Sequence, residues 1–145
     1  MSIFEFTADA SATAVLPTKA HQNDAGWDLY LDSDETVYLH PMQRKLCSTG
    51  VRLAEGAINN AVGLICPRSG LAHKFGVTVL NAPGILDQDY RGEIMVNLIS
   101  FNEDVVGLEG GDRIGQLVFV PLLVTGPNDP TLKIRGNGGH GSSGR

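Results

Sequence analysis

The sequence predicts an all-β protein: a sandwich, a jelly roll or a barrel of many short strands. Three observations lead there. No window of about eleven to eighteen residues keeps a helical apolar period. Short β-like segments recur instead, several alternating apolar and polar positions. Gly, Pro, Asn and Asp fill the gaps between them, as turns require.

In chain order, SIFEFTA alternates, and so does WDLYLD. ETVYLH follows after a short polar gap, and HPMQ turns the chain into RKLCSTGVRLAE. After GAINN come VGLICP, VTVL and EIMVNLISF. NEDVVGLEGGD then returns the chain into RIGQLVFVPLLV. SGLAHKFG has room for one helical turn. No repeat or linker interrupts residues 1–124, which are expected to form one β domain. Residues 125–145 are expected to be a separate extension. TGPNDPTLKI, with two prolines and a glycine, reads as an extended arm. The closing RGNGGHGSSGR holds five glycines and too little apolar surface to order itself alone.

A chain of 145 residues, 42% of them hydrophobic, can bury one core. Its longest uninterrupted apolar run, LVFVPLLV, is too short to span a membrane. MSIFEFTADAS lacks the basic and apolar regions of a signal peptide, so a soluble, cytoplasmic protein is expected. Cys47 and Cys66 sit among apolar neighbours without CxxC spacing, which fits two inert thiols in a reducing compartment. The net charge of −5 argues against binding a nucleic acid polymer. It leaves room for a small phosphorylated ligand. Seven of the eleven basic residues are arginine, whose forked donors match phosphate oxygens.

GNGGHG matches GxGxxG in form, but a dinucleotide fingerprint needs a strand before it and a helix after it. No Walker or HExxH motif occurs, and the four histidines are scattered, so no protein-built zinc site is expected. In Pro67-Arg68-Ser69-Gly70 a guanidinium, a hydroxyl and an unshielded backbone N–H fall within three residues, the makings of a phosphate clamp. In NAPGILDQDYRGE, Asn81, Pro83 and Gly84 form a turn, and Asp87 and Asp89 point the same way if the chain is extended. Tyr90 is larger than a plain turn needs, and a carboxylate on a polar loop suits a general base. GDRIGQLVF puts Gly111, Asp112 and Arg113 at a turn and Gln116 at a strand start. AGWDL puts Asp28 on the face opposite Trp27 and Leu29.

Taken in order, AGWDL, PRSGL, NAPGILDQDYRGE, GDRIGQLVF and RGNGGHGSSG closely resemble the five motifs of the trimeric dUTPases, from Ala25 to Gly144. The resemblance implies a distorted jelly-roll β-barrel, a homotrimer with C-terminal arm exchange, and dUTP as substrate. The reaction would split dUTP to dUMP and pyrophosphate, limiting uracil in DNA and supplying dUMP for thymidylate synthesis. Asp87 would polarise the water that attacks the α-phosphorus. Mg2+ would ride on the triphosphate, met by Asp28 through its water shell. Arg68, Ser69, Gly70 and Gln116 would grip the phosphates. Asn81 and the backbone of Gly84, Ile85 and Leu86 would read uracil, and Tyr90 would exclude a 2′-hydroxyl. The tail would be a lid: Arg135 on the terminal phosphate, Gly141, Ser142 and Ser143 close to the ligand, and His140 stacked on the base. Most relatives carry Phe where His140 stands. The arm from 125 to 134 reaches about 33 Å extended, enough to cross to an adjoining subunit. Two other readings differ in class. A dCTP deaminase of similar fold would need an acid–base group where Asn97 stands, and a regulatory binding protein could keep the scaffold without the chemistry.

Overall fold

A computed structural model describes residues 6–8, 13–55, 60–123, 137–141 and 144. The strands are β1 (Phe6–Ala8), β2 (Gly26–Tyr30), β3 (Val37–Leu39), β4 (Arg44–Ser48), β5 (Val51–Leu53) and β6 (Ala61–Cys66). After helix α1 (Ser69–Phe75) come β7 (Val77–Val79), β8 (Gly84–Leu86), β9 (Met95–Ser100), β10 (Val106–Leu108) and β11 (Arg113–Pro121). All pairings among these strands are antiparallel. One sheet runs β2-β11-β6-β8 and another β4-β9-β7; β1-β5 and β10-β3 are two-stranded ribbons. Wrapped around one core, they make the expected jelly-roll barrel.

Alternation explains most of the strands. In β9, Val96 and Leu98 turn inward with no exposure, while Met95 and Asn97 face out half-buried. Leu29, Leu31, Leu39, Val51, Val77, Ile94, Ile114 and Leu117 complete the innermost apolar layer. No buried side-chain polar atom among the described residues lacks a hydrogen bond. The RKLCSTGVRLAE stretch is two strands, because the chain changes sheets at Thr49 and Gly50: β4 pairs with β9 and β5 with β1.

Three local features differ from the sequence expectation. SGLAHKFG forms a seven-residue helix rather than one turn. Leu71 buries one side of it, and Gly76 ends it in the left-handed conformation, with φ of 63° and its N–H on Ala72 O. The turn expected from Asn81 to Gly84 passes directly into β8, which pairs with β6 as an edge strand. Val106–Leu108, read as part of a return loop, is a strand paired with β3. The division at residue 124 and the arm from 125 to 134 lie outside the described residues.

Candidate active site

The strand order places the candidate residues. Gln116 on β11 pairs with Asp28 on β2 on one side and with Cys66 on β6 on the other. One residue before Cys66, Ile65 pairs with Gly84 on β8. Asp28 and Gly84 therefore lie near one row across a single sheet. Three strand spacings separate them, about 14 Å.

At the β8 end is a cavity of about 180 Å3 lined by Asn81, Gly84, Ile85, Leu86, Asp87, Tyr90 and His140. These are seven of the residues that the sequence singled out. β8 is a sheet edge, so its outer main-chain N–H and C=O groups are not used by a neighbouring strand. Asn81 leans over Gly84, its Nδ2 3.5 Å from where a Cβ would stand. The Ala82–Pro83 bond is cis. Asp87, half-buried, follows β8 directly. Its carbonyl accepts the Tyr90 N–H at 3.1 Å, and the Tyr90 hydroxyl donates to Glu93 O at 2.8 Å. Arg91 donates to Gln88 O and Tyr90 O, each at 2.9 Å, so its guanidinium braces the turn. Glu93 accepts from Ser48 Oγ and, at 2.9 Å, from Gly50 N, tying the loop to the sheet change at Thr49 and Gly50. Gly139 of the tail lies against the Tyr90 ring, 3.4 Å from Cε2 at its would-be Cβ. His140 completes the wall with a positive φ of 44°.

At the β2 end is a groove of about 320 Å3 lined by Asp28, Arg68, Ser69 and Gln116, together with His21, Asp24 and Arg113. Arg68 Nε donates to Asp28 Oδ1 at 2.7 Å, and Arg113 Nη1 lies 3.5 Å from Asp28 Oδ2. Asp28 is thus the partner of two guanidiniums rather than a solvated strand carboxylate. Gln116 Nε2 donates to Pro67 O at 2.9 Å and so holds the corner that presents Arg68. It passes over Gly26, where a Cβ would stand 2.2 Å from Gln116 Oε1, so a side chain there would displace the Gln116 amide. Gly70 faces open space on α1, in a second groove that Arg68 and Arg113 also line.

Asp87 and Arg68 therefore line separate cavities within one chain. Gly141 is exposed, and Arg135, Ser142 and Ser143 lie outside the described residues. Asn97 faces outward on β9, opposite Leu46, and does not line the β8 cavity. Sequence reasoning gave no role to Arg113, Glu93 or His21. For Arg113 a signal existed in Gly115, because a glycine inside a strand often marks a bulge. The β2–β11 register does shift between Arg113 and Gly115. That bulge buries both Ile114 and Leu117, which a regular strand would set on opposite faces. It leaves Arg113 and Gln116 together beside Asp28.

Among the described residues no cluster of three or more His, Cys, Asp or Glu is arranged to hold a metal, and no helix is long and apolar enough to cross a membrane. Cys47 and Cys66 are unpaired, and burial pushes the Cys47 thiol up to about 11.

An edge strand offering main-chain groups at one end of the sheet, and a groove lined by arginines at the other, suit a ligand that carries both a hydrogen-bonding edge and phosphates. The comparisons with known proteins narrow that class. The dUTPase family profile matches residues 12–144. A deoxyuridine 5'-triphosphate nucleotidohydrolase of Mycolicibacterium vanbaalenii is 46% identical over 141 residues, covering 89% of this chain and 87% of the relative. Among solved structures, a Staphylococcus bacteriophage 80alpha dUTPase with dUpNHpp superposes with a TM-score of 0.74 at 25% identity, covering 98% of each chain. A dUTPase from phage phi11 of S. aureus, described with a structural Mg(II) ion, gives 0.74 at 22% identity over 90% of this chain and 97% of its own. The chain belongs to the dUTPase family.

Proposed function

We propose that this protein hydrolyses dUTP to dUMP and pyrophosphate, with water attacking the α-phosphorus. The observation that carries the reading is the position of Asp87, at the end of an edge strand and on the wall of the β8 cavity. In this reading the β8 main chain and Asn81 take the uracil edge. Tyr90, held by its bond to Glu93 O, lies against the deoxyribose, where a 2′-hydroxyl would be buried without a partner. The Asp87 carboxylate orients the water and accepts its proton, a contribution of about 10²–10⁴ in rate. Arg68, Ser69, Gly70 and Gln116 take the phosphates. His140 stacks on the base, and Arg135, Gly141, Ser142 and Ser143 close the tail over the nucleotide, excluding water from the charged contacts.

The donor chemistry fits a metal that arrives on the substrate. Asp28 is the acid at the centre of the phosphate groove, and both its oxygens already meet guanidiniums. It is suited to hold a hydrated Mg2+ through water rather than by direct coordination. When bound, Mg2+ neutralises phosphate charge and polarises the phosphoryl oxygens.

The separation of Asp87 from Arg68 supports a shared site, in which the β8 cavity of one copy meets the groove of another. A homotrimer with three such sites is the assembly proposed. Exchange of the 125–145 arm would carry to a neighbour the contacts that Gly138, Gly139 and His140 make here with their own chain. Two unpaired cysteines support a reducing, cytoplasmic setting. Pyrophosphate release from dUTP, dTTP, dCTP and UTP, with and without Mg2+, tests the reading. Release from dUTP alone, and only with metal, is expected; equal turnover of UTP or dTTP would contradict it.

A further inference from the structure

The polar stretch HQND, just before β2, brings an imidazole to the phosphate groove. The His21 N–H donates to Asp24 Oδ2 at 2.8 Å, and the ring Nδ1 lies 3.2 Å from the same oxygen. Asp24 N–H donates back to His21 O at 3.2 Å, closing the turn. The ring is anchored at Nδ1 and 83% exposed, and the residue lines the groove with Asp28, Arg68, Arg113 and Gln116.

We propose that His21 is a substrate-binding residue of this groove, one that grips phosphate only in its charged form. The inference rests on the reading of the groove as the triphosphate site. The Asp24 carboxyl is held below the usual carboxylate range, first by the His21 backbone N–H and also by the ring and by Lys19, so it is ionised at neutral pH. An ionised carboxylate at Nδ1 selects the neutral tautomer with its single proton there. Nε2 then presents a lone pair, which repels a phosphate oxygen. Protonation turns Nε2 into a charged donor, the kind that phosphate binds best. Charge in the groove points the same way. The guanidiniums of Arg68 and Arg113 are balanced by the carboxylates of Asp24 and Asp28. A second proton on the His21 ring would make this set net positive before substrate enters.

The test is the KM for dUTP at about pH 6 and about pH 8.5 in the full-length enzyme, for wild type, His21→Asn and His21→Lys. The titration of the triphosphate is common to all three, so ratios between variants isolate this ring. Expected is a wild-type KM about tenfold below that of His21→Asn at the lower pH, converging at the higher. His21→Lys should keep the low KM at both, with kcat within twofold throughout. Inhibition by pyrophosphate should follow the same pattern, and inhibition by deoxyuridine should not. Parallel KM profiles for wild type and His21→Asn, with dUTP turned over normally, overturn the inference alone. A wild type that releases no pyrophosphate from dUTP at either pH removes the underlying reading and the inference with it.

Discussion

Around Asp87 the braces are hydrogen bonds within one short loop: Tyr90 to Asp87 and Glu93, Arg91 to Gln88 and Tyr90. Around Asp28 they are charges, with Arg68 and Arg113 meeting on one carboxylate. The two regions can respond to a nucleotide in different ways. The Asp87 loop is braced by its own hydrogen bonds, which suits a base that must aim a water molecule. The guanidiniums of the groove can trade Asp28 for phosphate oxygens, because both are anions with matching geometry. In the proposed site, one end is built for position and the other for exchange.

Substitutions should separate these roles. Asp87→Asn has the largest expected effect, a fall of about 10²–10⁴ in kcat with dUTP affinity within a few fold, read by stopped-assay kinetics and calorimetry. Arg68→Ala removes a charged hydrogen bond worth about 1.5–3 kcal/mol, so KM should rise about ten- to a hundredfold. It also strips Asp28 of its 2.7 Å partner, and thermal melting should drop. A variant that raised KM as much from the Asp87 side as from the Arg68 side would erase the distinction. Gly26→Ala displaces the Gln116 amide from Pro67 O; a loss of about 1 kcal/mol is expected, seen as a fewfold rise in KM with little change in kcat. His140→Phe is the mildest. Its KM for dUTP should stay within about two- to threefold of wild type, because either aromatic ring can stack on a base.

Much of this was legible in the sequence because alternation and turn chemistry are local. Alternation marked β1 and β2, and apolar segments between turn residues marked β6, β9 and β11. The motif residues pointed by their types to linings of both cavities. What escaped was non-local. β8 hides behind Pro83 and Gly84, which signal a turn, and becomes a strand only because β6 offers Gly63 to Ile65 as a partner. The bulge that unites Arg113 with Gln116 depends on register against β2. Nor does spacing along the chain reveal that Asp87 and Arg68 open into different cavities. His21 went unassigned because its value lies in a turn with Asp24 and in charges contributed by β2, β11 and the β6–α1 corner.

Co-expression of two impaired chains, one Asp87→Asn and the other Arg68→Ala, assayed at dUTP concentrations well below the raised KM of the second, tests most directly whether each site joins the β8 cavity of one copy to the groove of another. Random mixing should return intact sites in about a quarter of positions, well above either variant alone. Activity no greater than the sum of the two separate variants would place both residues of each site in one chain and contradict the account.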